Sequence, residues 1–215
     1  MTSAGTEVLR AAKAAAAPGQ PTLSLAIGRP VVGLLRPVST HPGRTSPADV
    51  RVLTDWRNRH VKSFLTEFVA SEERTERWLV ESVGPDDTRI LFMVEDAAGR
   101  TVGYMGLAFI DWASGYAEFD AIVRGAEAPR GLMSRSIRTM WAWGRSALGL
   151  EVLCGRVRSD NPALAFFEKL GVREHRRVPL RREEHGGEVR WVEDPSMEAG
   201  GPTLVHIELE DDGGG

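Results

Sequence analysis

Ser159–Val172 reads SDNPALAFFEKLGV, and the parsing of the chain starts from this stretch. Asn161 supplies a side-chain oxygen where a helix needs a cap, and Pro162 brings its fixed φ to the first turn. Gly171 follows the last apolar residue, where a left-handed helix end is easiest to make. A short helix is therefore bounded on both sides. The apolar-rich Val152–Arg158 before it and Val172–Leu180 after it predict strands.

Toward the N-terminus lies IVRGAEAPRGLMSRSIRTMWAWG, Ile122–Gly144. The loop GAEAPRG leads into a helix whose Met133, Ile137, Met140, Trp141, Gly144 and Leu148 keep a helical period. Before it come Arg89–Glu95, Thr101–Ile110 and Tyr116–Val123, joined by DAAGR and DWASG, which predict an antiparallel meander. Ser46, Pro47 and Asp49 form a helix start, continued by Val50, Leu53, Trp56 or Arg57, His60 and Phe64. A second helix is predicted over Ser71–Val83, with Trp78, Leu79 and Val83 inward and a stop at Gly84 and Pro85. Val32–Val38, Val189–Val192 and Leu204–Leu209 complete the predicted strands. The fold class is mixed α/β (α+β).

The chain has 215 residues, 27 Lys plus Arg, 30 Asp plus Glu and a formal charge of −3, so no global positive field attracts nucleic acid or anionic lipid. The Ala-rich N-terminal run holds Lys13 and ends at Pro18, and Leu23–Leu35 is broken by Gly28, Arg29 and Pro30, so neither predicts a secretory or spanning segment. A single cysteine, Cys154, excludes an internal disulfide and fits a reducing, cytoplasmic compartment. The five histidines show no metal-ligand spacing, and no metal is expected. Three parts are expected: a disordered extension over 1–21, one domain over 22–210 and a disordered tail over 211–215. Exposed strand edges make a homodimer one expected state.

The glycine-flanked loop before the long helix offers unpaired backbone N–H groups and the positive end of a helix dipole, a site for phosphate. Gly125 and Gly131 let a ligand come close to the backbone, or simply make a tight turn. Arg124, Arg130, Arg135 and Arg138 stand in or just after this loop, to bind phosphate or to be solvated. The arginines between Arg173 and Arg182 alternate with glutamates and read as a solvated edge strand.

The order of elements, Ile122–Gly144 and above all SDNPALAFFEKLGV resemble the GNAT superfamily of acyl-CoA-dependent N-acetyltransferases, over roughly Val32–Leu209. The resemblance implies a mixed, mostly antiparallel sheet splayed near its centre, flanked by helices, with acetyl-CoA as acyl donor. It implies that Ile122, Val123 and Arg124 bind pantetheine through their backbone. Arg130, Gly131, Leu132, Met133 and Ser134 would surround the pyrophosphate, and Asn161 and Phe167 would sit near the thioester. This chain departs from the family at two places. Aligning the loop motif on Gly131 puts Ala128 and Met133 at its outer positions, and Phe167 stands where a thiolate-protonating tyrosine is usual.

Acyl transfer to an amine needs a proton sink beside the nucleophile. Glu118, Asp120 and Ile122 alternate onto one face of their predicted strand. Glu118 and Asp120 are the candidate bases, the alternative being ion pairs with arginines of neighbouring strands. Trp56, Arg57 and Asn58 are the candidate acceptor-binding group, the alternative being a core Trp56 with solvated neighbours. The expected function is an N-acetyltransferase acting on a small-molecule amine, such as an amino sugar or natural-product intermediate, by direct attack. Phe167 and the altered loop leave two other readings: a non-catalytic module binding coenzyme A or a partner, and a transferase of another acyl-CoA.

Overall fold

Ser46 behaves as the sequence predicts: its hydroxyl accepts from the amide of Asp49 at 3.3 Å and opens helix α2, Pro47–Arg59. The computed structural model describes residues 3–16, 23–198 and 200–210. In chain order the elements are α1 (Ala4–Ala14), β1 (Leu25–Ile27), β2 (Gly33–Pro37), α2, β3 (Thr66–Glu67) and α3 (Glu72–Trp78), then β4 (Ile90–Asp96), β5 (Thr101–Asp111) and β6 (Tyr116–Arg124). They continue with α4 (Leu132–Trp143), β7 (Val152–Arg158), α5 (Leu164–Leu170), β8 (Val172–His185), β9 (Glu188–Glu193) and β10 (Thr203–Leu209). A wide turn, Leu79–Val83, extends α3, and another, Gly144–Leu148, extends α4.

The strands form one ten-stranded sheet in the order β1-β2-β4-β5-β6-β7-β10-β8-β9-β3. Every pairing is antiparallel except β6 with β7, which the helical crossover through α4 makes parallel. β8 lies between β10 and β9, so its arginines are exposed but do not mark a sheet edge. Glutamates hold several of them, as in Arg177 to Glu174 and Arg182 to Glu184.

The core has two parts. Leu9, Phe92, Met105, Leu107, Ile137, Met140, Phe167 and Ile207 join α1, α4 and α5 to one face of the sheet. Val50, Leu53, Trp56, Leu79, Met93, Tyr104 and Val123 join α2 and the end of α3 to another cluster. A buried bond between the hydroxyls of Thr54 and Thr75, 2.7 Å long, ties α2 to α3.

The N-terminus differs from expectation. Residues 4–14, read as disordered, form α1, capped by Ser3, with Leu9 and Ala12 fully inside the core. A Cβ on Gly5 would lie 2.3 Å from the Leu148 carbonyl, so the backbone itself docks there. The Lys13 ammonium donates to the carbonyls of Val83 at 2.7 Å and Asp86 at 2.6 Å, which anchors the helix. Alanine is weakly apolar but an excellent helix former, and its small side chain permits this close contact. The rest of the expected extension, 1–2 and 17–21, and the tail at 211–215 lie outside the described residues.

Candidate active site

The parallel pair β6 and β7 holds together for only three residues, Tyr116–Glu118 against Val152–Cys154. Both strands run on, to Arg124 and Arg158, with β5 and β10 on their far sides. Beyond Glu118 the β7-facing edge of β6 has no paired strand among the described residues, so its backbone donors and acceptors face a gap. The gap belongs to a cleft of ≈ 1730 Å³.

Aromatic rings line one side of the opening. Phe119 leans over β7 where Gly155 has no side chain, since a Cβ there would lie 2.4 Å from its ring. Phe119 stacks on Phe167 with centroids 5.6 Å apart, and Phe166 meets Phe167 edge-on at 5.3 Å.

A bulge decides which β6 residues face which way. Gly106 pairs with Asp120 and Tyr104 with Val123, so Ala121 and Ile122 together oppose Met105. Ala121 takes φ 51°. The extra residue breaks the alternation. Glu118 and Asp120 share a face, but Ile122 does not join them: it packs with the α4 and α5 side, while Val123 packs with Trp56 and Tyr104.

The candidate carboxylates separate in role. Glu118 accepts from Arg156 Nε at 2.7 Å and from the Tyr116 hydroxyl at 2.8 Å, the ion pair that was the alternative reading. Asp120 has a looser neighbour, Arg89 Nε at 3.6 Å. Burial raises the Asp120 pKa above the ordinary aspartate value, and the nearby Arg89 charge opposes the rise only in part.

At the other end of the cleft, Gly131 caps α4 with φ 79°, and nothing lies within 4 Å of where its Cβ would be. Among the described residues no side chain caps this helix, and its first-turn amides lack an intrahelical acceptor. Leu132 is an exception: its amide donates to Pro129 O at 3.0 Å, and its side chain is 1% exposed in the core. Val123, Arg124, Arg130, Gly131, Met133 and Ser134 line the cleft. A second depression of ≈ 840 Å³ adjoins it, edged by Arg59, Arg100 and Arg124. An unpaired strand edge leading to an uncapped helix start with arginines around it fits the pantetheine arm and diphosphate of acetyl-CoA.

Asn161 borders the cleft, but its side chain is committed to the fold. Its Oδ1 accepts from the Ala163 amide at 2.9 Å and its Nδ2 donates to Ser63 O at 3.2 Å, joining the α5 turn to the loop after α2.

The expected acceptor group divides. Trp56 is buried, stacks on Tyr104 at 6.3 Å and lies against Gly125, so it belongs to the core. Gly125 thus accommodates an indole rather than a ligand. Asn58 clamps Ala70, donating to its carbonyl at 2.9 Å and accepting from its amide at 2.8 Å. Arg57 alone lines the cleft. Its guanidinium lies 4.5 Å and 3.9 Å from the ring centres of Phe64 and Phe68, and Nη2 donates to Thr66 O at 2.7 Å. Its Nη1 is buried without a hydrogen-bond partner. Burial lowers the Arg57 pKa.

Residues that the sequence reading did not select also line the cleft: Tyr104, Phe64, Phe68, Arg74 and Arg89. Their sequence neighbourhoods carry no motif. The grouping of Cys154, His175 and Glu208, with donor atoms within 4.8 Å of one another, also escaped histidine spacing because three strands supply it. Glu208 there is already held by Arg173 and His175.

Residues 44–173 match the family model described as an acetyltransferase (GNAT) domain. No curated protein matches the chain. Among solved structures, a GCN5-related N-acetyltransferase from Brucella melitensis superposes with a TM-score of 0.60 and 18% identity, over 86% of this chain and 77% of that one. Spermidine N-acetyltransferase from Vibrio cholerae, in complex with CoA and spermine, gives 0.58 and 19% identity, over 76% of this chain and 92% of that one. A dodecameric structure of the Vibrio cholerae spermidine enzyme gives 0.55 and 20%, over 76% and 89%. These likenesses share the mixed, mostly antiparallel sheet with flanking helices. No described helix is long and apolar enough to cross a membrane.

Proposed function

This chain belongs to the GNAT acetyltransferase family, and on that premise we propose that it acetylates the amine of a small molecule, such as an amino sugar or natural-product intermediate, by direct attack. The observation that carries this reading is the parting of β6 from β7 beyond Glu118, which leads to the uncapped start of α4. Acetyl-CoA, when bound, supplies the acetyl group as an activated thioester.

Ile122, Val123 and Arg124 present backbone groups to the pantetheine arm. Arg130, Gly131, Met133 and Ser134 surround the diphosphate, with Leu132 anchoring the turn from the core side. Phe167 and Phe119 exclude water around the thioester, and Asn161 shapes that end of the cleft. Asp120 takes the amine proton, its raised pKa suiting a base better than a fully solvated aspartate would. Glu118, held by Arg156, positions the strand beside it. No phenol stands at 167; the chain's two tyrosines are Tyr104 and Tyr116. Tyr104 lines the cleft with no hydrogen-bond partner for its hydroxyl among the described residues, and it supplies the proton for the departing thiolate.

Self-association belongs to the same proposal, with β1 and β3 as the free edges of the sheet. Light scattering during size-exclusion chromatography reads it. The cytoplasm is the compartment this reading assigns.

Thermal unfolding with acetyl-CoA, free coenzyme A or neither tests the site first. At a hundred times the dissociation constant, a ligand adds about 2.7 kcal/mol of stability. An upward shift, followed by thiol release when amines are added, supports the reading. A cooperative melt that no acyl-CoA moves overturns it.

A further inference from the structure

We infer that the acceptor amine also carries an acidic group, a carboxylate or a phosphate, and that Arg57 receives it. This rests on the acetyltransferase reading above and narrows its substrate class.

Several charges lining the cleft already have partners. Arg156 is held by Glu118 at 2.7 Å, Arg158 by Asp160 at 2.7 Å and Glu67 at 3.0 Å, and Arg74 by Glu188 at 2.7 Å. Arg57 has no ion pair among the described residues. Burying a guanidinium without an acid is costly, because an unpaired buried N–H forfeits its hydration and a charged one forfeits more.

Four buried side-chain atoms in the described residues lack a hydrogen-bond partner, and the two that belong to charged groups are Arg57 Nη1 and Arg89 Nε. Both residues line the same cleft. Arg89 Nε is 3.6 Å from Asp120, beyond hydrogen-bond length. Two unsatisfied guanidinium nitrogens on residues lining one cleft point to a partner that arrives with the substrate.

The mounting of Arg57 narrows the chemistry further. Phe64 and Phe68 lie against its guanidinium, and the Thr66 carbonyl takes Nη2, so the group is fixed with Nη1 left to bond. A planar guanidinium held this way matches the oxygens of a carboxylate or phosphate. Arg74 stacks on the same Phe68 ring, its guanidinium 3.4 Å from the ring centre, but its charge is held by Glu188, so Arg57 is the group left to receive an acid. A protonated polyamine offers Nη1 no acceptor, and a neutral sugar offers only a hydroxyl, whose bond lacks the charge assistance of an anionic oxygen.

The test compares amines that differ in the acid. With saturating acetyl-CoA, thiol release by the wild type is measured for glucosamine, glucosamine 6-phosphate, 2-amino-2-deoxyglucuronic acid and spermidine. At least one acidic sugar is expected to exceed glucosamine about ten-fold in kcat/KM, as one charge-assisted hydrogen bond allows. Spermidine is expected to be the poorest, and the phosphate and carboxylate arms identify which acid is read. Arg57→Gln is expected to reduce the acidic-to-neutral ratio about ten-fold. The wild-type ranking needs no variant and stands even if the substitution disturbs folding.

Preference for glucosamine or spermidine, with transfer intact, overturns the acid site and leaves the acetyltransferase reading standing. Titration calorimetry of the same amines into the coenzyme A-loaded protein separates the opposite failure. Acidic amines that bind more tightly than glucosamine without thiol release keep the site and overturn transfer to them, whereas equal or absent binding overturns the site.

Discussion

Gly125 and Trp56 occupy one another's space: a Cβ on Gly125 would lie 1.8 Å from the Trp56 ring. The loop between β6 and α4 is therefore seated on the indole of α2, which is 6% exposed and stacked on Tyr104. Helix α2 and the loop before α4 are thus packed as one piece.

Gly125→Ala is expected to lower stability by about 3 kcal/mol, since neither the loop backbone nor a packed indole can retreat without strain. Urea unfolding of the variant checks this. A change below about 0.5 kcal/mol, the scale of ordinary surface substitutions, would show that the contact is not rigid.

Asp120→Asn is expected to lower kcat by about a hundred-fold or more, the scale of a lost general base, with coenzyme binding retained. In its proposed role Asp120 acts as the ionised carboxylate, and burial raises its pKa. The acidic limb of the rate profile is therefore expected above the range of a solvated aspartate, with the rate rising as pH increases through it. Glu118→Gln breaks the bond to Arg156 and is expected to cost less in kcat than Asp120→Asn; the opposite order would exchange their roles.

Gly131→Val places a β-branched residue at φ 79°, where only glycine sits without strain. It is expected to cost about 1–2 kcal/mol of stability and to diminish the thermal shift given by coenzyme A. A full shift in the variant would remove the start of α4 from the coenzyme site.

Glu67 links β3 to the centre of the sheet. It accepts from Arg158 at 3.0 Å, Trp191 Nε1 at 2.7 Å and Lys62 at 2.6 Å. Burial alone would raise its pKa, but the bonds from Lys62, Trp191 and Arg158 outweigh it and hold the carboxyl at about 2. In the unfolded chain it binds a proton at higher pH, so its contribution is complete above the ordinary glutamate pKa. That contribution fades as pH falls from about 4.5 to about 2. Glu67→Gln is expected to flatten stability against pH in this window, as read by urea midpoints. An unchanged slope would assign acid sensitivity to other groups.

Local chemistry explains why most elements are legible in the sequence. Ser46 with Pro47, Gly171 after an apolar run, and the short loops between β4, β5 and β6 act within a few residues of themselves. What escaped was non-local or weakly apolar. The two-residue strand β3 forms on β9, distant in sequence, β1 is only three residues long, and α1 is rich in alanines whose burial depends on the surface they meet.

The site divides along the same line. The amino-acid order alone determined the α/β class, the order of the main elements, the uncapped glycine start of α4 and the family resemblance, because these rest on local periodicity, caps and motif spacing. Tertiary structure decided that Trp56 is core, that a bulge at Ala121 turns Ile122 away from Asp120, and that Glu118 is taken by Arg156. It also decided that Arg57 is left without an acid. Each of these depends on which groups meet across the sheet, and that is settled by packing between segments far apart in the chain.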